Sequence, residues 1–415
     1  MSRKLRAAAG LAVAVVALST AACATTAPST AGSTSPASAG TDGAAPVSNG
    51  AAQVKLSLTN NGADKCTPDF STAPAGPVTF TVENVSAAAI TEVELQNELK
   101  ILGEKENLAP GLPATSFTVT LDGGTYTLYC LGATPETQTF TVTGQAAAAP
   151  TGSTASLLSQ GTKDYATWVV GQSEEMKTAV TNLKKAVDGG DVAKAKTAYV
   201  NARTFYEKIE SDVEGFVMPG FKVGDNEGNL DYLIDMRASN LDDAVGWSGF
   251  HAIERDLWKA GAITGATKKY AADLDTNVGK LVEVVKTLEY KPEDLANGAA
   301  ALLEEVQSNK ITGEEEEFSH TDLSDFAANV EGARQAFAHL QPGLQKIDPD
   351  LMTSVVTQFG NVDAELAKLR DAAAPGGYLI WNEANRAKHR KSLSQAVLGL
   401  QQPMQKIAEK VATAK

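Results

Sequence analysis

Histidine and cysteine are scarce in this sequence, and the motifs of several common enzyme classes are absent. The 415 residues include four histidines and three cysteines. No H-E-x-x-H occurs, so two histidines on adjacent turns cannot bind zinc with a glutamate base between them. No G-x-S-x-G, P-loop or G-x-G-x-x-G occurs in a strand-to-helix context. A hydrolase function therefore has little support in the sequence.

Basic side chains are outnumbered by acidic ones. The chain has 36 lysines and arginines against 50 aspartates and glutamates, which gives a net charge of -14. This charge repels phosphate backbones and attracts cations. Nucleic acid is therefore not expected as a partner.

The N-terminal apolar run, from Ala7 to Leu18, is too short to span a bilayer. Three basic residues precede it and small residues follow, so residues 1–23 predict an export signal. The stretch "LSTAAC" resembles a lipobox, which would make Cys23 a lipidated residue that anchors the protein to the membrane. Thr20 stands where lipoboxes usually have leucine, and "ACA" at 22–24 also suits ordinary signal cleavage, so plain secretion is the alternative.

Residues 24–50 are small or polar with one charge, Asp42, and predict a disordered tether. From Gln53 the pattern alternates between apolar and polar residues, as in "QVKLSLT", "PVTFTVEN", "SFTVTL", "TYTLYCL" and "TFTVT". This periodicity predicts a β-sandwich over residues 51–145, followed by a linker at 146–156.

The predicted sandwich contains Cys66 and Cys130 but no histidine, because all four histidines lie beyond residue 250. A blue-copper site, which needs two histidines and a cysteine, is therefore excluded. In an oxidising compartment the spacing of the two cysteines favours a disulfide, and a two-thiolate copper or zinc site is the alternative. The nearby acids would suit iron; they are Glu92, Glu94, Glu104 and Glu106.

Residues 157–415 change to helical periodicity and predict an all-α bundle. The stretch from Asp191 to Phe216 predicts one helix, and similar patterns recur at 274–289, 293–308, 320–340, 350–370 and 388–412. In "GFHAIERDLW", His251 and Glu254 are three residues apart beside an apolar stripe, so both could reach one cation. The plainer interpretation is a histidine at the edge of the core, hydrogen-bonded to its neighbour.

Further ligands would have to come from other helices. Glu210 lies at the border of the predicted buried face, whereas Glu207 is expected to point outward and pair with Arg203. Asp231 and Asp235 in "GNLDYLIDMR" could supply a third carboxylate. In "ITGEEEEFSHTDLSDF", Glu315 and His320 are candidate ligands, and Ser319 with Asp322 predicts a helix start.

Together these motifs resemble the EfeO family of iron-uptake proteins, in which a cupredoxin-like domain is joined to an imelysin-like, peptidase-related helical domain. The resemblance covers nearly everything after the tether. It depends on "GFHAIERDLW", "YEKIE", "LIDMR", "KITGEEEEFSHTDLSDFAANVEG", "ENLAPG" and the contexts of the two cysteines. It implies a non-catalytic protein that binds ferrous or ferric iron outside the membrane. It also implies two partners, an Efe-type permease and a dye-decolorising haem peroxidase.

The resemblance implies two ligand sets. In the helical domain the set is His251, Glu254, Glu210 and Asp235, and in the β domain it is Cys66, Glu94, Glu104 and Cys130. Thr67 and Gly103 depart from the family pattern in the β domain, where many members have acids. Copper and zinc are alternative metals, because imidazole sites bind them at least as tightly as iron. A metallopeptidase and a metal-free scaffold are the rival functions.

Overall fold

The computed structural model describes residues 43–97, 100–146, 151–213, 216–221 and 225–414. The predicted export signal, its Cys23 and the tether up to residue 42 lie outside these ranges. Within the ranges, no helix has the length and apolar content needed to cross a bilayer.

A two-sheet β-sandwich forms the first part of the described chain, which confirms the predicted fold class. One sheet has the order β1-β2-β5-β8 with β3 paired to β2, and the other has the order β4-β10-β9-β6-β7. The strands are β1 Val47–Ser48, β2 Ala51–Asn60, β3 Asp64–Pro68, β4 Thr72–Pro74, β5 Gly76–Asn84, β6 Glu92–Asn97, β7 Lys100–Lys105, β8 Thr115–Leu121, β9 Gly124–Leu131 and β10 Thr137–Thr143.

Alternating side chains from the two sheets fill the sandwich core. Phe80 on β5 packs against Phe117 and Phe140, each at 5.1 Å between ring centroids. Strand β1 pairs with β2, so the sandwich begins before residue 51, where the sequence predicted its boundary. The two residues of β1 are too few to show an alternating pattern.

An all-α bundle follows, as the periodicity predicted. Its helices are α1 Ser153–Asp188, α2 Val192–Glu207, α3 Glu210–Val213, α4 Leu230–Asp235, α5 Gly249–Glu254, α6 Gly265–Val285, α7 Pro292–Ser308, α8 Asp322–Ile347, α9 Pro349–Ala367, α10 Glu383–Met404 and α11 Ile407–Ala412. Helix α1 begins inside the predicted linker. A π-helical turn, Arg255–Ala260, continues α5.

The predicted single helix over residues 191–216 is interrupted. Helix α2 ends at Glu207, a tight turn joins Ile209 N–H to Tyr206 O at 2.8 Å, and the short α3 begins at Glu210. This break allows acids on both sides of it to face the bundle interior.

The sandwich packs on the bundle through β8 and the end of β7. Asn297 on α7 donates to Thr118 O at 2.8 Å, and the Lys105 ammonium lies 2.9 Å from a Glu304 carboxylate oxygen. Lys105 and Glu304 are both buried in the protein. These contacts place the acidic edge of the sandwich against α7, whose last turn borders the site described next.

Candidate metal centre

Gly249 fixes the position of His251. Its φ is +66°, and a Cβ built there would lie 2.0 Å from Ile234 O and 3.0 Å from Asp235 N. Only glycine adopts this backbone conformation at little cost and also permits such a close approach. The start of α5 therefore rests against the end of α4, which brings His251 next to Asp235.

The His251 imidazole is buried and has carboxylates on both sides. Its Nδ1 lies 3.0 Å from a Glu254 oxygen, and its Nε2 lies 3.5 Å from both Asp235 Oδ1 and Glu315 Oε1. Among the described residues, Nε2 makes no hydrogen bond of good geometry. The predicted contact of His251 with Glu254 and Asp235 is thus present, and Glu315 joins it.

The segment before α8 packs against Glu254 and brings Glu316 to the centre. Glu254 Oε1 accepts backbone N–H groups from Phe318 at 2.8 Å and Ser319 at 2.7 Å. Glu316 accepts the Tyr199 hydroxyl at 2.8 Å and also the hydroxyls of Ser319 and Thr321. Ligand atoms of His251, Glu254 and Glu316 lie within 4.8 Å of one another, as do those of His251, Asp235 and Glu315.

The predicted helix start is confirmed, because α8 begins at Asp322. The residue before α8 is Thr321, however, and the Ser319 hydroxyl accepts the Thr321 N–H at 3.2 Å and donates to Glu316. The prediction of His320 as a ligand is wrong. His320 takes a φ of +58° and is absent from the metal-competent groups of the described chain. The left-handed backbone at His320 turns this histidine away, while Glu315 and Glu316 turn inward.

Glu210 lies near the centre but does not contact His251. Its carboxylate accepts hydrogen bonds from Lys310 at 3.2 Å and Asn329 at 3.0 Å. It shares a metal-competent group with Glu207, Asp235 and Glu315. The prediction that Glu207 points outward is wrong: it does pair with Arg203, but both side chains are fully buried.

The structure also places the other aspartate of α4. Asp231 accepts the Tyr206 hydroxyl and belongs to none of the metal-competent groups found in the described ranges. Burial raises its pKa. Asp231 therefore binds the buried Tyr206 hydroxyl in the core, and Asp235 is the aspartate of α4 that reaches His251.

Buried acids outnumber buried cations around His251. The fully buried cations near His251 are Arg203 and Lys310, and the partly buried Arg237 pairs with Glu305 and Glu315. The buried acids are Glu207, Glu210, Asp235, Glu254, Glu305, Glu315, Glu316, Asp322 and Asp325. Since an ionised carboxylate is costly to bury without a counter-charge, some of these groups must hold protons or accept an added cation.

The pKa shifts of the central groups differ in direction, because burial and neighbouring charges compete at each of them. Burial and the Glu316 charge raise the pKa of Glu254 to about 7, and burial together with the Glu207 charge raises the pKa of Glu210 well above its usual range. Burial also opposes ionisation of Glu315, but Lys310 and Arg237 outweigh it and hold its pKa well below the usual value. Burial and Arg203 lower the pKa of His251, while the neighbouring carboxylates of Glu254 and Glu315 outweigh them and raise it to about 10.

The predicted four-ligand set of the β domain is divided. Cys66 lies on β3 of one sheet, whereas Cys130, Glu94 and Glu104 lie on strands of the other. Cys66 and Cys130 are joined in a disulfide inside the sandwich core, so neither sulfur is available as a thiolate ligand. Cys130 pairs with Val93, whereas Glu94 pairs with Tyr129. Since side chains alternate along a strand, Glu94 points to the opposite face.

A cluster of three glutamate carboxylates remains on that opposite face. Oxygens of Glu92, Glu94 and Glu104 lie within 4.8 Å of one another. Burial and the Glu106 charge raise the pKa of Glu92 well above its usual range. Glu104 and Glu106 also line a small cavity shared with Glu304 and Glu305 of α7. Oxygen is thus the donor atom that this second cluster offers.

Sequence reasoning missed three central residues. Glu316 is one of four consecutive glutamates, and the sequence contains no signal that separates it from its neighbours. Arg203 occurs in a helical pattern where a charge is usually solvated, and Lys310 lies between the predicted helices at 293–308 and 320–340. The Arg203–Glu207 spacing was a usable signal, because a charge pair at i and i+4 can be buried as a unit.

Comparison with known proteins agrees with the resemblance found in the sequence. Residues 161–407 match the family Peptidase M75, Imelysin. The iron uptake system component EfeO of Escherichia coli O6:H1 strain CFT073 is 34% identical over 339 residues, covering 80% of this chain and 86% of that protein. EfeO of E. coli K12 is 35% identical over 323 residues, covering 77% and 81%.

A solved structure is matched at lower similarity. It is an iron-regulated protein A precursor from Parabacteroides distasonis, with a TM-score of 0.49 and 17% identity over 64% of this chain and 96% of that chain. The two E. coli relatives exceed 30% identity over most of their length. The chain therefore belongs to the imelysin family and, within it, to the EfeO group of iron-uptake components.

Proposed function

We propose that this protein binds iron outside the cytoplasm at the His251 centre and delivers it to an Efe-type membrane permease. The observation that carries the proposal is the buried imidazole of His251, which faces Glu254 on one side and Asp235 and Glu315 on the other. A dye-decolorising haem peroxidase of the same system is the second proposed partner. Iron is the cargo in this proposal.

The donor set fits this cargo. Imidazole nitrogen with several carboxylate oxygens suits Fe(II) and Fe(III), although copper and zinc accept the same donors. The excess of buried acid favours an added cation, which would neutralise carboxylates that otherwise hold protons. The cluster of Glu92, Glu94 and Glu104 is the proposed second, weaker station. With the two sulfurs joined, this cluster offers hard oxygen donors, which suit iron.

Export of the protein is supported by its cysteines. The Cys66–Cys130 disulfide is typical of proteins in an oxidising compartment. This agrees with the predicted signal at residues 1–23. Lipid anchoring at Cys23 stays a prediction, and mass spectrometry of the mature N-terminus distinguishes it from plain secretion.

Replacing His251 by glutamine tests the proposed function. The amide has a similar size but cannot replace the imidazole nitrogen as a donor, so we expect Fe(II) affinity at this centre to fall by at least about 100-fold. Anaerobic titration calorimetry of the full chain measures the change. The matched control is His389→Gln on α10, outside the described metal-competent groups, which should bind as the unmodified protein does. Unchanged affinity in His251→Gln would contradict the assignment.

We do not propose a peptidase role, although the family carries a peptidase name. His251 is 1% exposed and Glu254 is 0% exposed, so a peptide bond has no access to them. A casein digestion assay with added iron or zinc is expected to show no turnover. Cleavage that disappears in the His251→Gln variant would favour the metallopeptidase instead.

A further inference from the structure

Two buried cations occupy the acidic side of the centre. Arg203 on α2 and Lys310 before α8 are both 0% exposed. Arg203 contacts Glu207, Asp235, Glu315, Glu316 and Asp325. Lys310 contacts Glu207, Glu210, Glu305 and Glu315. Neither of them is among the proposed iron ligands.

These cations hold the oxygens that a metal ion would need. Arg203 contacts Asp235 and Glu315, which are the two carboxylates facing Nε2 of His251. Lys310 contacts Glu315 as well, at 3.2 Å. A carboxylate paired with a guanidinium is already neutralised and hydrogen-bonded, and a metal ion beside it meets repulsion that is strong in a buried site. Metal binding and these ion pairs therefore compete for the same oxygens.

Aromatic neighbours give Arg203 contacts that do not depend on the carboxylates. Its guanidinium carbon lies 5.3 Å from the centroid of the Phe250 ring and 5.9 Å from that of Tyr206. A cation over such rings is attracted by their π-electrons. Arg203 thus keeps favourable contacts when Asp235 turns to a metal ion.

We propose that Arg203 and Lys310 are resident competing cations of the iron centre. They pair its carboxylates in the metal-free protein and weaken iron binding, so that the ion can be released to the next protein. This inference rests on the proposed function and adds to it the residues that set affinity. A residue with a merely structural role would have the opposite effect on affinity, because its loss would disorder the ligands.

The test compares Arg203→Gln and Lys310→Gln in the full chain. Glutamine removes the charge but still donates hydrogen bonds to neighbouring carboxylates. We expect each variant to bind Fe(II) at least about tenfold more tightly than the unmodified protein in anaerobic calorimetry. Lys177→Gln is the matched control, because Lys177 pairs with Asp275 between α1 and α6, away from the centre. Its affinity should stay within about twofold of the unmodified value.

The outcomes separate this inference from the proposed function. Equal or weaker Fe(II) binding in a folded variant, with normal binding in the unmodified protein, overturns the competing role alone. Absence of His251-dependent binding in the unmodified protein overturns both. If neither variant folds, a crystal structure of the unmodified protein with bound Mn(II) tests the competing role of Arg203. Loss of the contact between Arg203 and Asp235 supports the inference, and a metal bound with both Arg203 contacts intact overturns it.

Discussion

Gly249→Ala is expected to lower the free energy of unfolding by about 3 to 5 kcal/mol and to abolish the proposed iron binding at the His251 centre. Two costs add at this position. The φ of +66° is unfavourable for alanine, and the new Cβ would lie 2.0 Å from Ile234 O, so the backbone of α4 or α5 must move. Because Asp235 follows Ile234 directly, that movement separates Asp235 from His251.

A variant at the nearby Gly246 measures the cost of the backbone conformation without the cost of the close contact. Gly246 has a φ of +82°, but no atom lies within 4 Å of a Cβ built there. Gly246→Ala should therefore cost about 1 to 2 kcal/mol and leave iron binding unchanged. Urea unfolding and Fe(II) titration of the two variants measure both effects. Equal losses of stability, or normal iron binding in Gly249→Ala, would show that the close approach of α5 to α4 does not position the ligands.

The part of the centre that residue spacing alone predicted lies within α5. The spacing of His251 and Glu254 places both on one side of α5, and their contact at 3.0 Å follows from that spacing. Asp235 was predicted from the resemblance, and its distance of 3.5 Å to Nε2 agrees. Glu315 was a candidate as well, from its place in the acidic run.

Burial of charge was the part that helical periodicity could not predict. A charged residue is assigned to the solvent face unless a partner is known, and Lys310, the partner of Glu207, lies on a distant segment of the chain. The break after α2 was a second reason that the burial of Glu207 could not be predicted, because it changes the directions in which Glu207 and Glu210 point. The inward turn of Glu316 depends on loop geometry, which residue spacing does not encode.

The fold was predictable wherever an element is long enough to show its period. The five alternating runs correspond to β2, β5, β8, β9 and β10, and the five helical runs after residue 270 overlap α6 to α10. Strands β1 and β4, with two and three residues, are too short for the pattern. Strand β1 is specified by pairing with the adjacent β2, and β4 by pairing with β10, which is distant in the chain.

The second large effect concerns the β domain, where Cys66 and Cys130 form the disulfide that their spacing favoured and are not the thiolate ligands that the resemblance implied. Replacing both Cys66 and Cys130 by alanine is expected to lower the free energy of unfolding of the sandwich by about 4 kcal/mol. The two residues are 64 positions apart, so the lost bond no longer restricts a long loop in the unfolded chain. Iron bound per chain should not change, because the carboxylates of Glu94 and Glu104 lie on the other face of the sheet.

A reducing agent provides the control within the same experiment. Dithiothreitol should destabilise the unmodified protein toward the level of the double variant and leave the double variant itself unaffected. Thermal unfolding followed by circular dichroism measures the stability, and elemental analysis after iron loading measures the metal. A folded double variant that loses one metal ion per chain would restore the cysteines as ligands, since alanine removes both possible thiolates but none of the carboxylates. Retained metal with reduced stability means that the sulfurs hold the sandwich together and the oxygens hold the ion.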